Sequence, residues 1–529
     1  MSELDMSLNK VPEKVQSVHL MGICGTGMGA LAGMLKEKGL EVTGSDTQVY
    51  PPMSTFLASI GIKIFQDYSP DNLDHHPDLV IVGNVIRRDN EEVRGLAEKK
   101  IPFVSFPQAL SHLFLKGKIP LVVAGTHGKT TTASILAAIL EHAGSDPGFM
   151  IGGIVKGFGR NYKLGQGPYF VIEGDEYDTA FFDKGPKFLH YQPHIAILTS
   201  VEFDHADIYR DLAEVKDAFR RFVRIIPSSG VLVAHTEDGI VREVIKDASC
   251  PVIGYGETHI RLRRTKDKGN NPPSPPFTKG GNTFSSSLEK DDTSSIPPLE
   301  KGDTGGFSGE DKDRLWTLTD CLTEGEGAKV SVKKEGGFYA RFTSPLIGRH
   351  NALNTLAVIA VLDRIGLAPE AIQAGLSSFQ GVCRRQEVRG IKNGVTVIDD
   401  FAHHPTAVHE TLLALRAAYP GRRLIAVFEP RTNSSRRRVF QDDYALSFDA
   451  ADSIIVREPP GLENIPEQDR FSSGNLVEDL KTRGRTAYYF PDTDGILGFL
   501  KEYARGGDVI AIMSNGGFDN IHKRLLDIL

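Results

Sequence analysis

Cysteine, tryptophan and long apolar runs are scarce in this sequence. Its 529 residues include four cysteines and one tryptophan. Because the cysteines are scattered without CxxC spacing, we predict neither a disulfide framework nor a zinc site, as is typical of a reducing cytoplasm. No apolar run approaches the ~18 residues that a membrane span requires, and the polar start of the chain is unlike a signal peptide. With a net charge of −7 and no basic stripe, we expect a cytoplasmic protein with no membrane or nucleic-acid partner.

The sequence does contain a repeated alternation of short apolar runs and helix-length segments. Such alternation predicts parallel sheets that are covered by helices on both faces. It restarts twice, which predicts an α/β fold of three consecutive domains at residues 1–118, 119–345 and 346–529. This number of domains agrees with a typical domain length of ~150 residues.

One stretch, residues 259–313, has a different composition. It is rich in Pro, Gly, Ser, Lys and Asp and has very few aliphatic residues. It also contains a near-repeat, because PPFTKG is followed later by PPLEKG. Such a composition cannot bury enough apolar surface to offset chain entropy. We therefore predict a disordered surface insertion in the middle domain. A tolerated insertion is the favoured interpretation, and a docking segment is the alternative.

A glycine-rich turn follows the first apolar run, in HLMGICGTGMGALAGML. Its G-x-G-x-x-A pattern contains Gly25, Thr26, Gly27 and Met28, and Asp46 follows at the end of the next predicted strand. Glycines allow the backbone to approach a diphosphate at a helix N-terminus, as in Rossmann-like folds. Asp46 is placed to bind a ribose hydroxyl or a polar base edge. The pattern predicts nucleotide binding without distinguishing NAD from another diphosphate nucleotide, and a purely structural turn is the alternative.

A second glycine turn, in LVVAGTHGKTTTAS, is a shortened phosphate loop between a strand and a helix. We call residues 125–131 the phosphate loop; its members are Gly125, Thr126, His127, Gly128, Lys129, Thr130 and Thr131. In such a loop, backbone N–H groups surround a phosphate chain, Lys129 neutralises its terminal oxygens, and the Thr130 hydroxyl can ligate Mg²⁺. The loop predicts nucleoside triphosphate binding by a P-loop ATPase-type middle domain.

A phosphate loop needs an acid on a neighbouring strand to hold the metal. Glu173 ends an apolar run in FVIEGDEYD, with Asp175, Glu176 and Asp178 close behind. His205 follows a further strand, in EFDHAD. The order of elements favours Glu173 as a metal ligand and places His205 near the metal or the phosphate. A structural histidine is the alternative for His205.

The third domain contributes three polar groups in succession. His350, Asn351 and Asn354 stand at the start of a predicted helix, where the two amides share one face and suit the edge of an adenine; N-capping by Asn351 is the alternative. Arg384 and Arg385 can brace a γ-phosphate. At the end of a predicted strand lie Asp399, Asp400, His403 and His404. Ligands gather at such strand ends in open α/β sheets.

Together these motifs resemble the Mur ligase superfamily. GTHGKTTT, GRHNALN, RRQE and DDFAHHP occur in the family's order. The resemblance implies a Rossmann-like N-terminal domain that binds UDP, a central ATP-binding domain and a Rossmann-like C-terminal ligase domain. It also implies that the lactyl carboxylate of UDP-N-acetylmuramate is phosphorylated by ATP to an acyl phosphate, which an amine then attacks.

The motifs EYDTAFFDK and EPRTN resemble those of superfamily members that add the tripeptide L-Ala-γ-D-Glu-meso-diaminopimelate in peptidoglycan recycling. The first alternative is a ligase with the same chemistry that adds L-alanine instead of the tripeptide. Two alternatives from other classes are an NAD-dependent oxidoreductase, based on the first glycine turn alone, and a non-catalytic ATP-dependent switch.

The resemblance also implies individual roles. Lys129 would grip the β- and γ-phosphates, and Thr130 with Glu173 would hold a first Mg²⁺, with His205 at a second. Asn351 and Asn354 match the adenine contacts, Arg385 the γ-phosphate arginine and Asp400 the ribose contact, with His403 beside it. Arg431 and Arg436 are candidates for the carboxylates of the peptide. The nearest lysine after His205 is Lys216, which is closer than the carbamylated lysine of several relatives, so we do not predict carbamylation.

Overall fold

The computed structural model describes residues 3–50, 53–257, 315–325 and 327–529, without the side chains of Glu324 and Asn464. The insertion predicted at 259–313 therefore lies outside the described residues. The described chain forms three successive α/β units, each with its own main sheet, as the sequence predicts. None of the described helices is long and apolar enough to cross a bilayer.

The first unit is a five-stranded parallel sheet in the order β3-β2-β1-β4-β5. Its strands are β1 (Ser17–Met21), β2 (Glu41–Asp46), β3 (Lys63–Gln66), β4 (Leu79–Val82) and β5 (Phe103–Ser105). Its helices are α1 (Thr26–Glu37), α2 (Met53–Ser59), α3 (Glu91–Lys99) and α4 (Phe106–Leu110). The strand order reverses between β1 and β4, which is where open α/β sheets bind ligands. The glycine turn of residues 22–28 leaves β1 at this edge.

The second unit is a ten-stranded sheet whose central strands are parallel and whose edges are antiparallel, in the order β17-β16-β15-β14-β13-β12-β6-β9-β7-β8. Its strands are β6 (Ile119–Ala124), β7 (Gly148–Val155), β8 (Arg160–Lys163), β9 (Tyr169–Gly174), β12 (Ile195–Leu198), β13 (Val231–His235), β14 (Val252–Glu257), β15 (Leu315–Glu324), β16 (Gly327–Lys334) and β17 (Gly337–Ser344). A separate hairpin pairs β10 (Asp178–Ala180) with β11 (Asp183–Pro186). The helices of this unit are α5 (Lys129–His142), α6 (Leu212–Arg224) and α7 (Gly239–Val244).

Two further helices, α8 (Arg349–Arg364) and α9 (Pro369–Ser378), pack against α5 and share the buried core of the central sheet. Helix α8 is apolar on nearly every face and is buried from Asn351 to Leu362. The boundary that the sequence predicts at 345/346 stands before these helices, whereas their packing assigns them to the central unit. We propose that the third unit begins after α9.

The third unit is a six-stranded sheet in the order β18-β19-β23-β20-β21-β22, in which only β18 is antiparallel. Its strands are β18 (Glu387–Lys392), β19 (Val395–Asp400), β20 (Leu424–Phe428), β21 (Ser453–Arg457), β22 (Thr486–Phe490) and β23 (Val509–Met513). Its helices are α10 (Pro405–Ala418), α11 (Gln441–Ser447), α12 (Ser473–Thr482), α13 (Thr493–Tyr503) and α14 (Ile521–Ile528). Apolar clusters lie on both faces of the sheet.

The first and second units share one continuous apolar cluster, which includes residues of α1 and of β6 and β9. Helix α1 packs closely against β8: a Cβ added at Gly33 would lie 2.3 Å from the hydroxyl oxygen of Tyr162. Only glycine fits so close to the ring, so a larger residue here would disturb the packing between the two units. The shared core holds the two glycine turns in a fixed mutual arrangement.

Candidate active site

The phosphate loop connects β6 to α5 through two glycines with positive φ. Gly125 has a φ of +133° and Gly128 a φ of +81°. An added Cβ would lie 2.1 Å from Oγ1 of Thr199 at the first position and 2.6 Å from Oδ1 of Asn354 at the second. Both conformation and space therefore require glycine. Helix α5 begins directly at Lys129, so its N-terminal N–H groups and the loop lie together, as an anion site requires.

Lys129 contacts an acid that the sequence interpretation did not assign to the site. Its Nζ atom lies 3.0 Å from Oε2 of Glu176 and donates to the carbonyl oxygen of Gly125 at 2.7 Å. The other carboxylate oxygen of Glu176 accepts a 3.0 Å hydrogen bond from Nε2 of His205. Glu176 is 2% exposed. A buried carboxylate thus bridges the lysine of the phosphate loop and the histidine predicted beside the metal.

The ionisation of these three groups is coupled through Glu176. Burial alone would raise the pKa of Glu176, but Lys129 and His205 lower it to about 2. Burial alone would lower the pKa of Lys129, yet Glu176 and Asp175 raise it above its ordinary value. The pKa of His205 is likewise raised, because Glu176 outweighs the effect of burial. The lysine and the carboxylate are therefore charged at neutral pH.

Thr130, Glu173 and Arg385 meet at the first turn of α5. The Thr130 hydroxyl donates to Oε2 of Glu173 at 3.1 Å, and Nη2 of Arg385 lies 3.5 Å from the same hydroxyl oxygen. Oε1 of Glu173 accepts from the N–H of Gly152 at 2.5 Å. Burial and the neighbouring Asp175 raise the pKa of Glu173. Arg385 reaches this point from the segment before β18, so the third unit contributes to the site.

The two arginines before β18 have separate roles. The guanidinium of Arg384 donates to the carbonyl oxygens of Ser514 and Gly516, each at 2.6 Å. It therefore supports the loop after β23 rather than the phosphate loop. Arg385 lies 4.9 Å from the centroid of the Phe401 ring, a cation–π contact that aims it at Thr130.

The amides predicted for adenine lie beside the phosphate loop. Asn351 is buried and donates to the carbonyl oxygen of Ile347 at 2.8 Å, and Asn354 lies 3.4 Å from Oδ1 of Asn351 and against Gly128. Gly348 precedes α8 as its N-cap residue, so the alternative of N-capping by Asn351 is not what the structure contains. The adenine contact of the two amides stays a prediction.

Asp400 and His403 are held by main-chain bonds. The carboxylate of Asp400 accepts from the N–H groups of Gln386 and Ala402, both at 2.8 Å. Nδ1 of His403 donates to the carbonyl oxygen of Phe401 at 2.9 Å, and burial lowers the pKa of this histidine to about 4. Asp400 thereby shapes the turn that leaves β19, and its ribose contact stays a prediction.

A cluster of two histidines and a glutamate joins the central and third units. Nε2 of His127 lies 3.5 Å from Oε2 of Glu202, and Nδ1 of His404 lies 3.8 Å from the same oxygen. The Thr406 hydroxyl donates to this oxygen at 2.6 Å, and Nε2 of His404 donates to the carbonyl oxygen of Phe203 at 3.2 Å. These contacts bring α10 to the edge of the phosphate loop.

The two arginines predicted to bind carboxylates of the acceptor peptide differ in how many of their N–H donors are already used. Arg436 donates to the carbonyl oxygens of Pro460 and Gly461, each at 3.2 Å, and to Asn433 at 2.8 Å, an arrangement that favours a structural role. The Arg431 side chain is 41% exposed, with one carboxylate, Glu429, at 3.6 Å. Arg431 is therefore the more available of the two for an incoming carboxylate.

The N-terminal glycine turn presents main chain and one exposed side chain. Gly25, Thr26 and Gly27 are exposed, whereas Met28 is buried in the core, so Met28 can offer a ligand only its backbone. The Asp46 carboxylate accepts from the N–H groups of Cys24 at 2.9 Å and Gln48 at 3.0 Å. Asp46 therefore fixes the turn, and its nucleotide contact stays a prediction.

Sequence patterns gave little sign of Glu176 and Glu202. Glu176 is one of several acids after β9, and only the fold shows that it faces both Lys129 and His205. Glu202 stands in a loop after β12, and its partners are far away in the sequence. The signal that could have identified Glu202 is its position after a parallel strand of a P-loop domain, where ligands gather.

Profiles of one family match three parts of the chain. "Mur ligase family, catalytic domain" matches residues 17–117, "Mur ligase middle domain" residues 123–270, and "Mur ligase, glutamate ligase domain" residues 384–516. An Escherichia coli (strain K12) protein named UDP-N-acetylmuramate–L-alanyl-γ-D-glutamyl-meso-2,6-diaminoheptandioate ligase is 39% identical over 96% of this chain and 97% of its own length. The chain belongs to the Mur ligase family.

Other Mur ligases align with the chain over nearly its whole length. A UDP-N-acetylmuramate–L-alanine ligase of Syntrophomonas wolfei is 34% identical, over 97% of each chain. The crystal structure of a murein peptide ligase from Psychrobacter arcticus is 32% identical and has a TM-score of 0.66, covering 97% of this chain and 98% of that one. The family resemblance and the three-unit architecture predicted from the sequence are confirmed.

Proposed function

We propose that this Mur ligase joins the tripeptide L-Ala-γ-D-Glu-meso-diaminopimelate to UDP-N-acetylmuramate at the expense of ATP, in peptidoglycan recycling. The product is an amide between the lactyl carboxylate of the sugar nucleotide and the α-amine of the peptide. The reaction needs ATP because a carboxylate is a poor acceptor for an amine until one of its oxygens becomes a good leaving group. Transfer of the γ-phosphoryl group to the carboxylate creates that leaving group.

The observation that carries this proposal is the meeting of Lys129, Thr130 and Arg385 at the N-terminus of α5. Two cations and a helix N-terminus here face the place where the end of a triphosphate would lie in a phosphate loop. Arg385 comes from the third unit, so the cation that would neutralise charge developing on the γ-phosphate arrives with the ligase domain. The similarity to the Escherichia coli tripeptide ligase supports the choice of substrates.

Thr130 and Glu173 fit a magnesium ion. Their oxygen atoms lie 3.1 Å apart, and hard oxygen donors are the ligands that Mg²⁺ prefers. Desolvation and Asp175 raise the pKa of the buried Glu173, and a bound cation would stabilise its charged form. When bound, Mg²⁺ would withdraw charge from the terminal phosphates. A second ion at His205 stays a prediction, because Nε2 of His205 here donates to Glu176.

Positioning and charge neutralisation account for the chemistry without a covalent protein nucleophile. Lys129 would bind the β- and γ-phosphate oxygens, and Glu176 holds its ammonium group at the loop. His205 would stand beside the acyl oxygen, and Asn351 and Asn354 would face the adenine. Exposed Arg431, with its fork of donors, would pair with a carboxylate of the peptide.

Product mass spectrometry tests the proposal directly. The protein is incubated with UDP-N-acetylmuramate, ATP, Mg²⁺ and an equimolar mixture of L-alanine and the tripeptide. The expected product is the UDP-N-acetylmuramoyl tripeptide, with ADP and phosphate released in equal amounts. The 34% identity to an L-alanine ligase makes L-alanine addition the second candidate, and preferential formation of that product would reject the tripeptide assignment.

A further inference from the structure

The segment that consists of β11 and the residues between β11 and β12 carries a lysine that the proposed mechanism does not use. Lys187 follows β11, and its side chain is 16% exposed. Its backbone N–H donates to the carbonyl oxygen of Tyr177 at 3.1 Å. The next residue, Phe188, is fully buried and packs against Phe222 with ring centroids 4.7 Å apart. The backbone at Lys187 is thus anchored beside the core of the central unit.

The ammonium group of Lys187 lies between two aromatic rings, one beside the N-terminal glycine turn and the other beside His205. Its Nζ atom is 5.8 Å from the ring centroid of Phe106 and 5.6 Å from that of Tyr177. Phe106 begins α4, and its ring carbons lie 3.7 Å from a Cβ built on Gly27 in the N-terminal glycine turn. The Tyr177 ring lies 3.9 Å, centroid to centroid, from His205. A continuous series of contacts therefore leads from the N-terminal turn to the phosphate loop, with one cation at its middle.

This segment is fastened to the first unit by polar contacts. The Ser105 hydroxyl donates to Oδ2 of Asp183 at 3.0 Å, and the same carboxylate oxygen lies 3.0 Å from Nε2 of His190. Ser105 directly precedes Phe106. Lys187 is thereby held in a defined position relative to the N-terminal turn, although it belongs to the other unit.

The charge of Lys187 is only partly satisfied by the described residues. An ammonium group has three donors, and the carboxylate that the described part of the chain offers to Lys187 is Asp175, at 3.5 Å. That distance is longer than a good charge-assisted hydrogen bond of about 2.8 Å. The Asp175 side chain is itself 34% exposed. Lys187 therefore keeps donors for an additional oxyanion.

We propose that Lys187 binds an oxyanion of the sugar nucleotide where that substrate passes from the N-terminal glycine turn to the phosphate loop. The inference rests on the proposed function, which requires one substrate to extend between the two sites. UDP-N-acetylmuramate has two kinds of anionic group, its diphosphate and its lactyl carboxylate. By binding this oxyanion, Lys187 orients the substrate across the two units, with its lactyl carboxylate toward His205.

The test is isothermal titration of the full-length protein with two ligands. UDP-N-acetylmuramate contains both anions, whereas UDP-N-acetylglucosamine has the same diphosphate and no lactyl carboxylate. Lys187→Met keeps the apolar stem and removes the charge, and it should weaken binding of UDP-N-acetylmuramate by about tenfold or more. A loss for both ligands assigns the diphosphate, and a loss for UDP-N-acetylmuramate alone assigns the carboxylate. The Kd for ATP should not change.

Lys184→Met is the matched control, because Lys184 belongs to the same segment but is 69% exposed and paired with Asp178 at 2.9 Å. It should bind both ligands as the wild type does. Lys187→Arg keeps the charge and should retain most of the affinity. The inference is overturned if Lys187→Met binds UDP-N-acetylmuramate normally, or if Lys184→Met or Lys187→Arg loses as much affinity. Wild-type protein that binds no UDP-N-acetylmuramate would instead overturn the proposed function.

Discussion

The Nζ atom of Lys129 and Oε2 of Glu176 lie 3.0 Å apart beneath the phosphate loop, and Glu176 is almost fully buried. This pair holds the ammonium group at the N-terminus of α5, where a triphosphate would meet it. The same carboxylate orients His205. One residue that shows no distinctive pattern in the sequence therefore positions two residues of the candidate site.

Glu176→Gln should destabilise the protein and impair catalysis. Removal of one partner leaves the buried charge of Lys129 without its counter-ion, which typically costs about 3 kcal/mol or more. We expect that loss in the free energy of unfolding, measured by urea denaturation, together with a lower kcat.

The control for this variant is Glu243→Gln. Glu243 is a partly exposed surface carboxylate that pairs with Lys216 at 2.7 Å and with Arg220 at 2.5 Å, and such surface pairs each contribute about 0–1 kcal/mol. Equal destabilisation by the two substitutions would contradict the role assigned to Glu176.

Arg385→Lys should lower kcat much more than it changes the KM for ATP. A lysine cannot reproduce the planar fork that reaches Thr130, and an arginine that stabilises a transferring phosphoryl group can contribute about a thousandfold to kcat. Arg389→Lys is the matched control, because Arg389 lies on the adjacent strand β18, is 43% exposed and pairs with Glu387. Steady-state kinetics decide: an unchanged kcat for Arg385→Lys would remove this residue from the phosphoryl-transfer site.

Thr130→Val and Glu173→Gln should each weaken the affinity for Mg²⁺. Both changes remove an oxygen ligand, and we expect the half-saturating Mg²⁺ concentration to rise by about tenfold or more. The measurement is ATP-dependent amide formation as a function of free Mg²⁺. Asp178→Asn, which removes the ion pair with the exposed Lys184 in the hairpin, should leave the half-saturating Mg²⁺ concentration unchanged. A curve for Glu173→Gln that matches the wild type would mean that Mg²⁺ binds elsewhere.

The stability of the wild type should fall as the pH drops from about 6.5 to about 4, in part because of His404. Burial lowers the pKa of His404 from an ordinary value of 6.5 to about 4. Between these values the unfolded chain binds a proton that the folded chain does not, so acidification favours unfolding. His404 is also the N-cap of α10, a position that asparagine fills well.

His404→Asn should therefore keep the cap and reduce the acid sensitivity. The thermal unfolding midpoint, followed between about pH 7 and about pH 4.5, should decline less steeply for the variant than for the wild type. Parallel curves would show that His404 binds a proton as readily in the folded protein as in the unfolded chain, so that folding does not lower its pKa. Glu202 contributes mainly below this range, because its stabilising effect is lost between its ordinary pKa of 4.5 and its folded pKa of about 2.

Much of the candidate site could be predicted because it lies at the ends of apolar strands. Lys129 and Thr130 follow β6, and Glu173 lies near the end of β9. These two strands are adjacent and parallel, so the proximity of the three residues follows from the sheet. The same reasoning identified the edge that carries Asp400 and His403. Alternating apolar and helical segments were sufficient to predict the three α/β units.

Other features depend on packing between distant segments. Helix α8 is apolar on nearly all faces, so its sequence predicts burial without showing which sheet it covers, and the structure places it on the central one. Arg431 and Arg436 belong to one basic stretch, yet only tertiary contacts show that carbonyl oxygens occupy Arg436. The position of Lys187 between two rings depends on the docking of the first unit against the second.

The central claim is that the γ-phosphoryl group passes from ATP at the phosphate loop to the lactyl carboxylate of the sugar nucleotide. The most direct measurement follows oxygen-18 from the labelled carboxylate of UDP-N-acetylmuramate during turnover with ATP and the tripeptide. Phosphate that carries one labelled oxygen is the predicted result, because attack by the amine leaves that oxygen on the departing phosphate. Phosphate free of label, while the tripeptide amide is formed, would contradict the account.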